Sequence, residues 1–259
     1  MTEQYIISVT AMTHQGAVRS ENEDSIAVGA WVRNKPMRMP HQWRFVFEGP
    51  VCCVVADGMG GHAAGEVASQ HVAQRLSQAG AECGDAAAIQ SLLLQINAEL
   101  YEQMKVDSSR IGMGSTVVGL VFKENSLFWF NIGDSRLYQH RNGFLRQISI
   151  DDVPPAANPS DPQAHRKSGA ITQSMGGTSS VQMPVPHIGE IELTAPGRWL
   201  LCSDGLTDML DIDKMEECLG GDDPGADDLG AVTKLFNAAM EAGAEDNISI
   251  IIVAVEKAS

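Results

Sequence analysis

The sequence is poor in basic residues and in long apolar runs, and each shortage excludes a class of protein. Its 18 Lys and Arg stand against 33 Asp and Glu, which gives a formal net charge of −15. A nucleic-acid-binding protein needs a basic face, so this balance argues against a nucleic-acid partner. No apolar run approaches the ~20 residues that span a bilayer, and no N-terminal stretch has the features of a secretory leader. We therefore predict a cytoplasmic protein that does not enter a membrane.

The five cysteines form no disulfide framework. Cys52 and Cys53 are neighbours inside one apolar run, and Cys202 lies in another. This placement is typical of small buried hydrophobic side chains in a reducing compartment. With 259 residues, the chain is long enough to bury a sizeable core.

The order of the sequence patterns predicts helices that are segregated from hairpin strands. Strand patterns cover residues 5–12, 24–32, 51–56, 115–122, 126–133, 135–141, 144–149, 198–205 and 248–255. Helical spacing links Ala64, Val67, Ala68, Val72 and Leu76, then Ile89, Leu92, Leu93, Ile96 and Leu100, and later Leu229, Val232, Phe236, Ala239 and Met240. Segregation of this kind predicts an α+β protein with largely antiparallel sheets, not the alternating order of a doubly wound fold.

No linker or internal repeat divides the chain, so we expect one domain over residues 1–259. The stretch 151–187 contains six of the 11 prolines and has no sustained period. Loops of this length are often lids or binding elements. A second irregular stretch, 33–44, carries four bases in an acidic protein and is either a partner surface or a hairpin.

A glycine-rich turn, ADGMGGHAAGEVAS, follows the apolar run that ends at Ala56. The spacing from Gly58 to Ala63 fits the pattern of dinucleotide-binding turns. Asp57 argues against that interpretation, because a carboxylate at the mouth of the turn would repel a pyrophosphate. The alternative is a turn that holds a metal ion.

Four aspartates flank apolar runs where strands meet loops, namely Asp57, Asp134, Asp204 and Asp246. Two carboxylates ~4 Å apart repel each other by about 4 kcal/mol at an effective dielectric constant near 20. Such a cluster is therefore stable only when it is protonated or bridged by a cation. Oxygen ligands favour Mg²⁺ or Mn²⁺, and Gly58 lets its carbonyl approach an ion closely. Two such ions can activate water and bind a phosphate, which also makes an acidic cleft attractive to an anion.

Three further residues fit a phosphate-directed site. The guanidinium of Arg19 suits bidentate phosphate binding. His62 could donate a proton to a leaving oxygen. Asp208 stands four residues after Asp204, so the two side chains could share one face of a short helix.

Taken together, these residues resemble the metal-dependent serine/threonine protein phosphatases of the PPM, or type 2C, family in their short bacterial form. The matching segments, in the family's order, are VRSENEDS at 18–25, DGMGGHAAGE at 57–66, MGST at 113–116, IGDSR at 132–136, SDGLTD at 203–208 and EDN at 245–247. The match extends from about Ser8 to Val255. It implies an α-β-β-α sandwich with two metal ions, Mn²⁺ or Mg²⁺, at one end and a variable flap at about 151–187.

The resemblance also implies a role for each matching residue. Asp57 would bridge two ions, Asp204 and Asp246 would hold the first, and the Gly58 carbonyl would hold the second. Asp134 and Asp204 would form a weaker third site. The surrounding shell would consist of Glu23, Asp24, Asp208 and Asn247, of which Glu23 and Asp24 would hold metal-bound waters. Arg19 would bind the phosphate, and His62 would be the general acid.

The implied activity is hydrolysis of phosphoserine and phosphothreonine in proteins, by direct attack of water. Phosphorylated proteins and a cognate serine/threonine kinase are the expected partners, and a monomer is the expected state. The family commonly has Asp-His-Ser where this chain has Asp151-Asp152-Val153, so the position of the flap is not implied. Three alternatives stay open: a catalytically silent phosphoprotein-binding module, a nucleotide-binding oxidoreductase and a hydrolase of small phosphoesters.

Overall fold

The structure is a computed structural model that describes residues 4–60, 64–123, 126–155, 170–193, 195–221 and 227–258. The strands within these ranges are β1 (Tyr5–His14), β2 (Ser25–Val28), β3 (Trp31–Arg33), β4 (His41–Val46), β5 (Val51–Ala56), β6 (Gly58–Met59), β7 (Gly114–Ser115), β8 (Val117–Lys123), β9 (Ser126–Ile132), β10 (Arg136–Arg141), β11 (Phe144–Gln147), β12 (Met175–Gly176), β13 (His187–Glu192), β14 (Gly197–Cys202) and β15 (Ile248–Lys257). The α-helices are α1 (Ala64–Ala79), α2 (Ala86–Val106), α3 (Asp204–Thr207), α4 (Ile212–Leu219) and α5 (Asp228–Glu241). None of these helices is both long enough and apolar enough to cross a membrane.

Two six-stranded sheets and one three-stranded sheet contain these strands. Sheet I has the order β11-β10-β14-β15-β1-β4, sheet II the order β13-β9-β8-β5-β2-β3, and the small sheet the order β12-β7-β6. Every pair of neighbouring strands is antiparallel. The two ends of the chain meet in sheet I, where β1 pairs with β15 from Tyr5 opposite Lys257 to His14 opposite Ile248.

The two large sheets pack face to face, and helices cover their outer faces. The core between the sheets includes Val55 from sheet II and Trp199 from sheet I, both almost fully buried. A second core joins sheet II to α1 and α2, and a third joins sheet I to α4 and α5. These four layers confirm the predicted α+β, α-β-β-α sandwich with antiparallel sheets.

The helical periodicity of the sequence was more reliable in α2 than in α5. All the apolar positions predicted for α2 are buried, and the Asp85 side chain begins the helix by accepting a 2.8 Å hydrogen bond from the Ala88 N–H. In α5, Val232 and Ala239 are buried as predicted, whereas Leu229 is 43% exposed. The buried face of α5 begins at Asp228, and its first buried apolar residue is Ala231.

Two predictions for the region before β5 were wrong. Residues 24–32 do not form one strand, because a turn at Gly29, with φ of +53°, separates β2 from β3. Of the two alternatives for residues 33–44, the hairpin is wrong, because β3 lies at the edge of sheet II and β4 at the edge of sheet I, and the partner surface stays a prediction. The connecting chain crosses between the sheets, where the Met37 N–H donates to the Thr13 carbonyl at 2.9 Å.

The predicted flap at 151–187 is only partly described, because residues 156–169 lie outside the described ranges. Its later part is packed against the rest of the molecule. Met175 is fully buried, and Met175–Gly176 forms β12, which pairs with β7. The described part of this stretch therefore contains paired backbone, although its sequence shows no helical or strand periodicity.

Candidate active site

The four aspartates predicted as metal ligands come from the ends of strands in both large sheets. Asp57 follows β5 and Asp134 follows the end of β9 in sheet II. Asp204 follows β14, and Asp246 precedes β15, in sheet I. The structure brings all four together, since the Asp57 carboxyl interacts electrostatically with each of the other three.

Burial and the repulsion of neighbouring carboxylates raise the pKa of Asp57, Asp134 and Asp204. Burial is the main cause at Asp57, where neighbouring carboxylates add to it and the pKa rises well above its ordinary value. Burial, followed by the charges of Asp134 and Asp246, raises the pKa of Asp204 to about 8. Burial also raises the pKa of Asp134 to about 6. A bound cation would favour the charged form of each carboxyl group.

The residues present fit a hard divalent cation. The Oδ1 atom of Asp204 is buried without a hydrogen-bond partner, although buried polar atoms are normally paired. Carboxylate and carbonyl oxygens are the ligands that Mg²⁺ and Mn²⁺ prefer. As placed, no three His, Cys, Asp or Glu side chains among the described residues converge closely enough to hold one ion.

Gly58 lies where the glycine-rich turn meets α1. A Cβ atom at position 58 would overlap the backbone oxygens of Gly65 and Glu23. Gly58 also pairs with Ser115 in the small sheet. The glycine is therefore required by the packing of α1 against the turn, in addition to any approach of its carbonyl to an ion.

Asn247 fixes the loop that carries Arg19. Its Oδ1 accepts a 2.8 Å hydrogen bond from the Glu23 N–H. Its amide nitrogen donates to the carbonyls of Gln15 and Glu21 at 3.0 Å and 2.9 Å. Because Asn247 adjoins Asp246, one side chain aligns the loop with a carboxylate of the site.

Arg19 lies at the rim of the carboxylate cluster. Its Nη2 donates to Asp246 Oδ2 at 2.6 Å, and its side chain is 53% exposed. The guanidinium therefore still faces solvent while it contacts the cluster. This position allows it to bind an anion that enters beside Asp246.

The other predicted residues of the site differ in exposure. Glu23 is partly buried, and this burial raises its pKa, with Arg19 acting in the opposite direction. Asp24 is fully buried, its Oδ2 accepts a 2.8 Å hydrogen bond from the Ser203 hydroxyl, and burial raises its pKa to about 7. Asp208 is exposed, and its N–H donates to the Asp204 carbonyl at 2.7 Å at the C-terminal end of α3. His62, the predicted general acid, lies outside the described residues.

Thr116 holds Asp57 in place, a role that sequence reasoning missed. Its N–H donates to the Asp57 carbonyl at 2.9 Å, and its Oγ1 accepts from the Asp57 N–H at 3.3 Å. The same oxygen lies 2.7 Å from the Ser135 hydroxyl, so Thr116 links the loops of Asp57 and Asp134. In the sequence, Thr116 stood out only as part of the MGST segment at 113–116, and that segment does not indicate which residues Thr116 contacts.

Known protein phosphatases match this chain in sequence and in structure. A sequence profile of the family described as Protein phosphatase 2C matches residues 37–242. The chain is also 30% identical over 260 residues to the serine/threonine protein phosphatase PstP of Mycobacterium tuberculosis (strain CDC 1551 / Oshkosh). That alignment covers 96% of this chain and 45% of PstP, so the chain spans about half the length of this curated relative.

A second relative and a solved structure match over nearly their full lengths. The serine/threonine phosphatase Stp of Listeria monocytogenes (serotype 4b, strain F2365) is 29% identical over 258 residues, with 93% of each chain covered. The crystal structure of the catalytic domain of PstP in complex with two manganese ions is 30% identical and has a TM-score of 0.73. It covers 97% of this chain, and this chain covers 99% of it. The resemblance predicted from the sequence is confirmed, and the chain belongs to the protein phosphatase 2C family.

Proposed function

We propose that this protein is a serine/threonine protein phosphatase that hydrolyses phosphoserine and phosphothreonine in proteins and depends on Mn²⁺ or Mg²⁺. The observation that carries the proposal is the meeting of Asp246 with Asp57, Asp134 and Asp204, the last three with raised pKa values, beside an exposed Arg19. Family membership and the names of the relatives support it.

We assign the metal-binding roles to this chain's own oxygen atoms. Asp57 would bridge two ions, Asp204 and Asp246 would complete the first site, and the Gly58 carbonyl would serve the second. Asp134 and Asp204 would form a further site. Divalent ions bound there would lower the pKa of water and offset the charge of a phosphate. The two manganese ions of the PstP catalytic domain support Mn²⁺ as a cofactor here.

Arg19 would hold the substrate's phosphate. A phosphate ester that enters beside Asp246 offers two oxygens to the planar guanidinium, which donates to the Oδ2 atom of Asp246 in this structure. Asn247 would keep Arg19 close to the aspartate cluster, because its side chain is hydrogen-bonded to the loop that carries Arg19. Glu23, Asp24 and Asp208 would orient water and the ligating carboxylates, and we keep His62 as the proposed general acid.

The partners we propose are phosphorylated proteins and a cognate serine/threonine kinase, for a protein that acts as a single-domain monomer. The excess of acidic residues supports a partner other than nucleic acid. We also propose a cytoplasmic location, which is supported by five cysteines that are all free and buried.

The test is release of phosphate by the purified protein from a phosphothreonine peptide, with EDTA, with Mg²⁺ and with Mn²⁺. The same series with para-nitrophenyl phosphate and a nucleoside monophosphate tests the alternative of a small-phosphoester hydrolase. We expect metal-dependent release, with a higher kcat/KM for the peptide. A preference for the small esters would favour that alternative. No release with any metal would favour a phosphoprotein-binding module.

A further inference from the structure

The carboxylate of Asp152 joins three segments of the chain next to the proposed site. Asp152 is 6% exposed. Its Oδ2 accepts a 2.8 Å hydrogen bond from the Gly133 N–H. Its Oδ1 accepts from the Gln173 side-chain amide at 2.7 Å and lies 2.9 Å from His187 Nε2. We assign the donor role in this pair to Nε2 of His187, because a carboxylate oxygen is an acceptor.

On one side, Asp152 holds the loop that carries Asp134. Besides the bond from its N–H, Gly133 accepts a 3.0 Å hydrogen bond at its carbonyl from the Asp152 N–H. Gly133 has φ of +99°, and a Cβ atom there would lie 2.7 Å from the Thr116 side chain. The loop is thus held between Thr116, which also contacts Asp57, and Asp152.

On the other side, Asp152 holds the chain where it returns from residues 156–169. The Asp152 carbonyl accepts from the Thr172 N–H at 2.7 Å. The Gln173 side chain, which donates to Asp152, accepts in turn from the Val185 N–H at 2.7 Å. His187 begins β13. Gln173 and His187, which both follow residue 169, are therefore bound to one carboxylate that also binds the Asp134 loop.

We propose that Asp152 is a positioning residue, which couples the placement of Asp134 to the segment 170–187 through the donors Gln173 and His187. This inference rests on the proposed function for its effect on catalysis, but the coupling itself is a property of the folded chain. Removal of a donor from His187 would loosen Asp152, and the Gly133–Asp134 loop would then lose its fixed position. Neither Gln173 nor His187 is a proposed ligand, so an effect of either on metal binding must pass through Asp152.

The experiment compares His187→Leu, which removes the donor, with His187→Gln, which retains an N–H. The matched control is His71→Leu, because His71 forms a similar 2.9 Å pair with Glu99 between α1 and α2. Mn²⁺ affinity is measured by calorimetry, and amide hydrogen exchange over residues 131–137 is measured in EDTA. Gln173→Leu removes the other donor to Asp152. It replaces His187→Leu in both measurements if that variant does not fold.

We expect His187→Leu to weaken Mn²⁺ binding at the proposed Asp134–Asp204 site about tenfold and to speed exchange at Gly133. His187→Gln should restore both, and His71→Leu should change neither. In combination with Asp152→Asn, His187→Leu should add little, because both act through one carboxylate. Unchanged Mn²⁺ affinity and unchanged exchange at Gly133 in His187→Leu would overturn the inference. Failure of the wild-type protein to release phosphate would instead count against the proposed function, and the exchange result would stand by itself.

Discussion

Arg19 and Asp246, 227 residues apart in the chain, form an ion pair in which Arg19 Nη2 lies 2.6 Å from Asp246 Oδ2. Both side chains keep contact with solvent, since they are 53% and 37% exposed. The pair joins the loop after β1 to the turn before β15, and Asn247 reinforces this junction. The group proposed to bind phosphate thus contacts a group proposed to bind metal.

Arg19→Ala should raise the KM for a phosphothreonine peptide by about 10- to 100-fold, because a charge-assisted hydrogen bond to phosphate is lost. Metal affinity should change far less, since Arg19 is no ligand. Steady-state kinetics and Mn²⁺ calorimetry on the same preparations measure the two effects. Arg19→Lys keeps the positive charge but lacks the planar guanidinium. Its KM should therefore lie between those of the wild-type protein and Arg19→Ala. An equal loss of Mn²⁺ affinity in Arg19→Ala would contradict the phosphate role.

Asp204→Asn should stabilise the metal-free protein at pH 8.5 while it abolishes turnover. The wild-type carboxyl has a pKa of about 8 in the folded protein, because it is buried near Asp134 and Asp246. Its neutral replacement removes that repulsion, and we expect Tm in EDTA to rise by about 3 °C. Thermal unfolding with and without Mn²⁺ measures this. A lower Tm in EDTA would mean that the carboxylate contributes to the fold without metal.

The metal-free protein should lose stability as the pH rises through neutrality. Asp204, Asp24 and Asp134 have pKa values of about 8, about 7 and about 6 in the folded protein, against about 3.9 in an unfolded chain. The folded state therefore binds more protons between about pH 4 and pH 8, and the free energy of unfolding falls over that range.

Mn²⁺ should reverse this trend, because cations compete with these protons and bind more tightly at higher pH. Unfolding curves at pH 5.5, 7 and 8.5, in EDTA and in Mn²⁺, test both statements. If stability in EDTA rose steadily across these pH values, the carboxyl groups would not be protonated as the structure indicates.

Gly58→Ala should destabilise the fold by about 1–3 kcal/mol, because the added methyl group would overlap backbone oxygens of Gly65 and Glu23. The matched control is Gly49→Ala, since no atom lies within 4 Å of a Cβ at position 49. Urea unfolding of both variants measures the difference. Equal stability of the two would show that the turn can move away from α1 at little cost.

The sequence predicted the position of the site better than the details that hold it together. Aspartates at the ends of buried strands indicated a shared edge, and the structure brings Asp57, Asp134, Asp204 and Asp246 to it. Such patterns are local in the chain. The crossing of residues 33–44 between sheets depends on the pairing of β4 with β1, which local periodicity does not encode.

The hydrogen bonds that support the site were hidden for the same reason, although Asn247 itself was predicted in the shell around the site. Thr116, Asn247 and Asp152 act through hydrogen bonds to distant segments, such as the bond from Asn247 to the Glu21 carbonyl, 226 residues away. A threonine, an asparagine or an aspartate in a turn looks the same whether it caps a turn locally or bridges two loops. Only the packed sheets bring those partners within reach.

The central claim is that the aspartate cluster binds divalent metal and hydrolyses a protein phosphoester. Its most direct test is phosphate release from a phosphothreonine peptide in Mn²⁺, by the wild-type protein and by Asp57→Asn, with folding of both checked by circular dichroism. The account predicts release by the wild-type protein, its loss in EDTA and its loss in a folded Asp57→Asn variant. Near-normal release by that variant would contradict the metal-bridging role of Asp57 and with it the proposed mechanism.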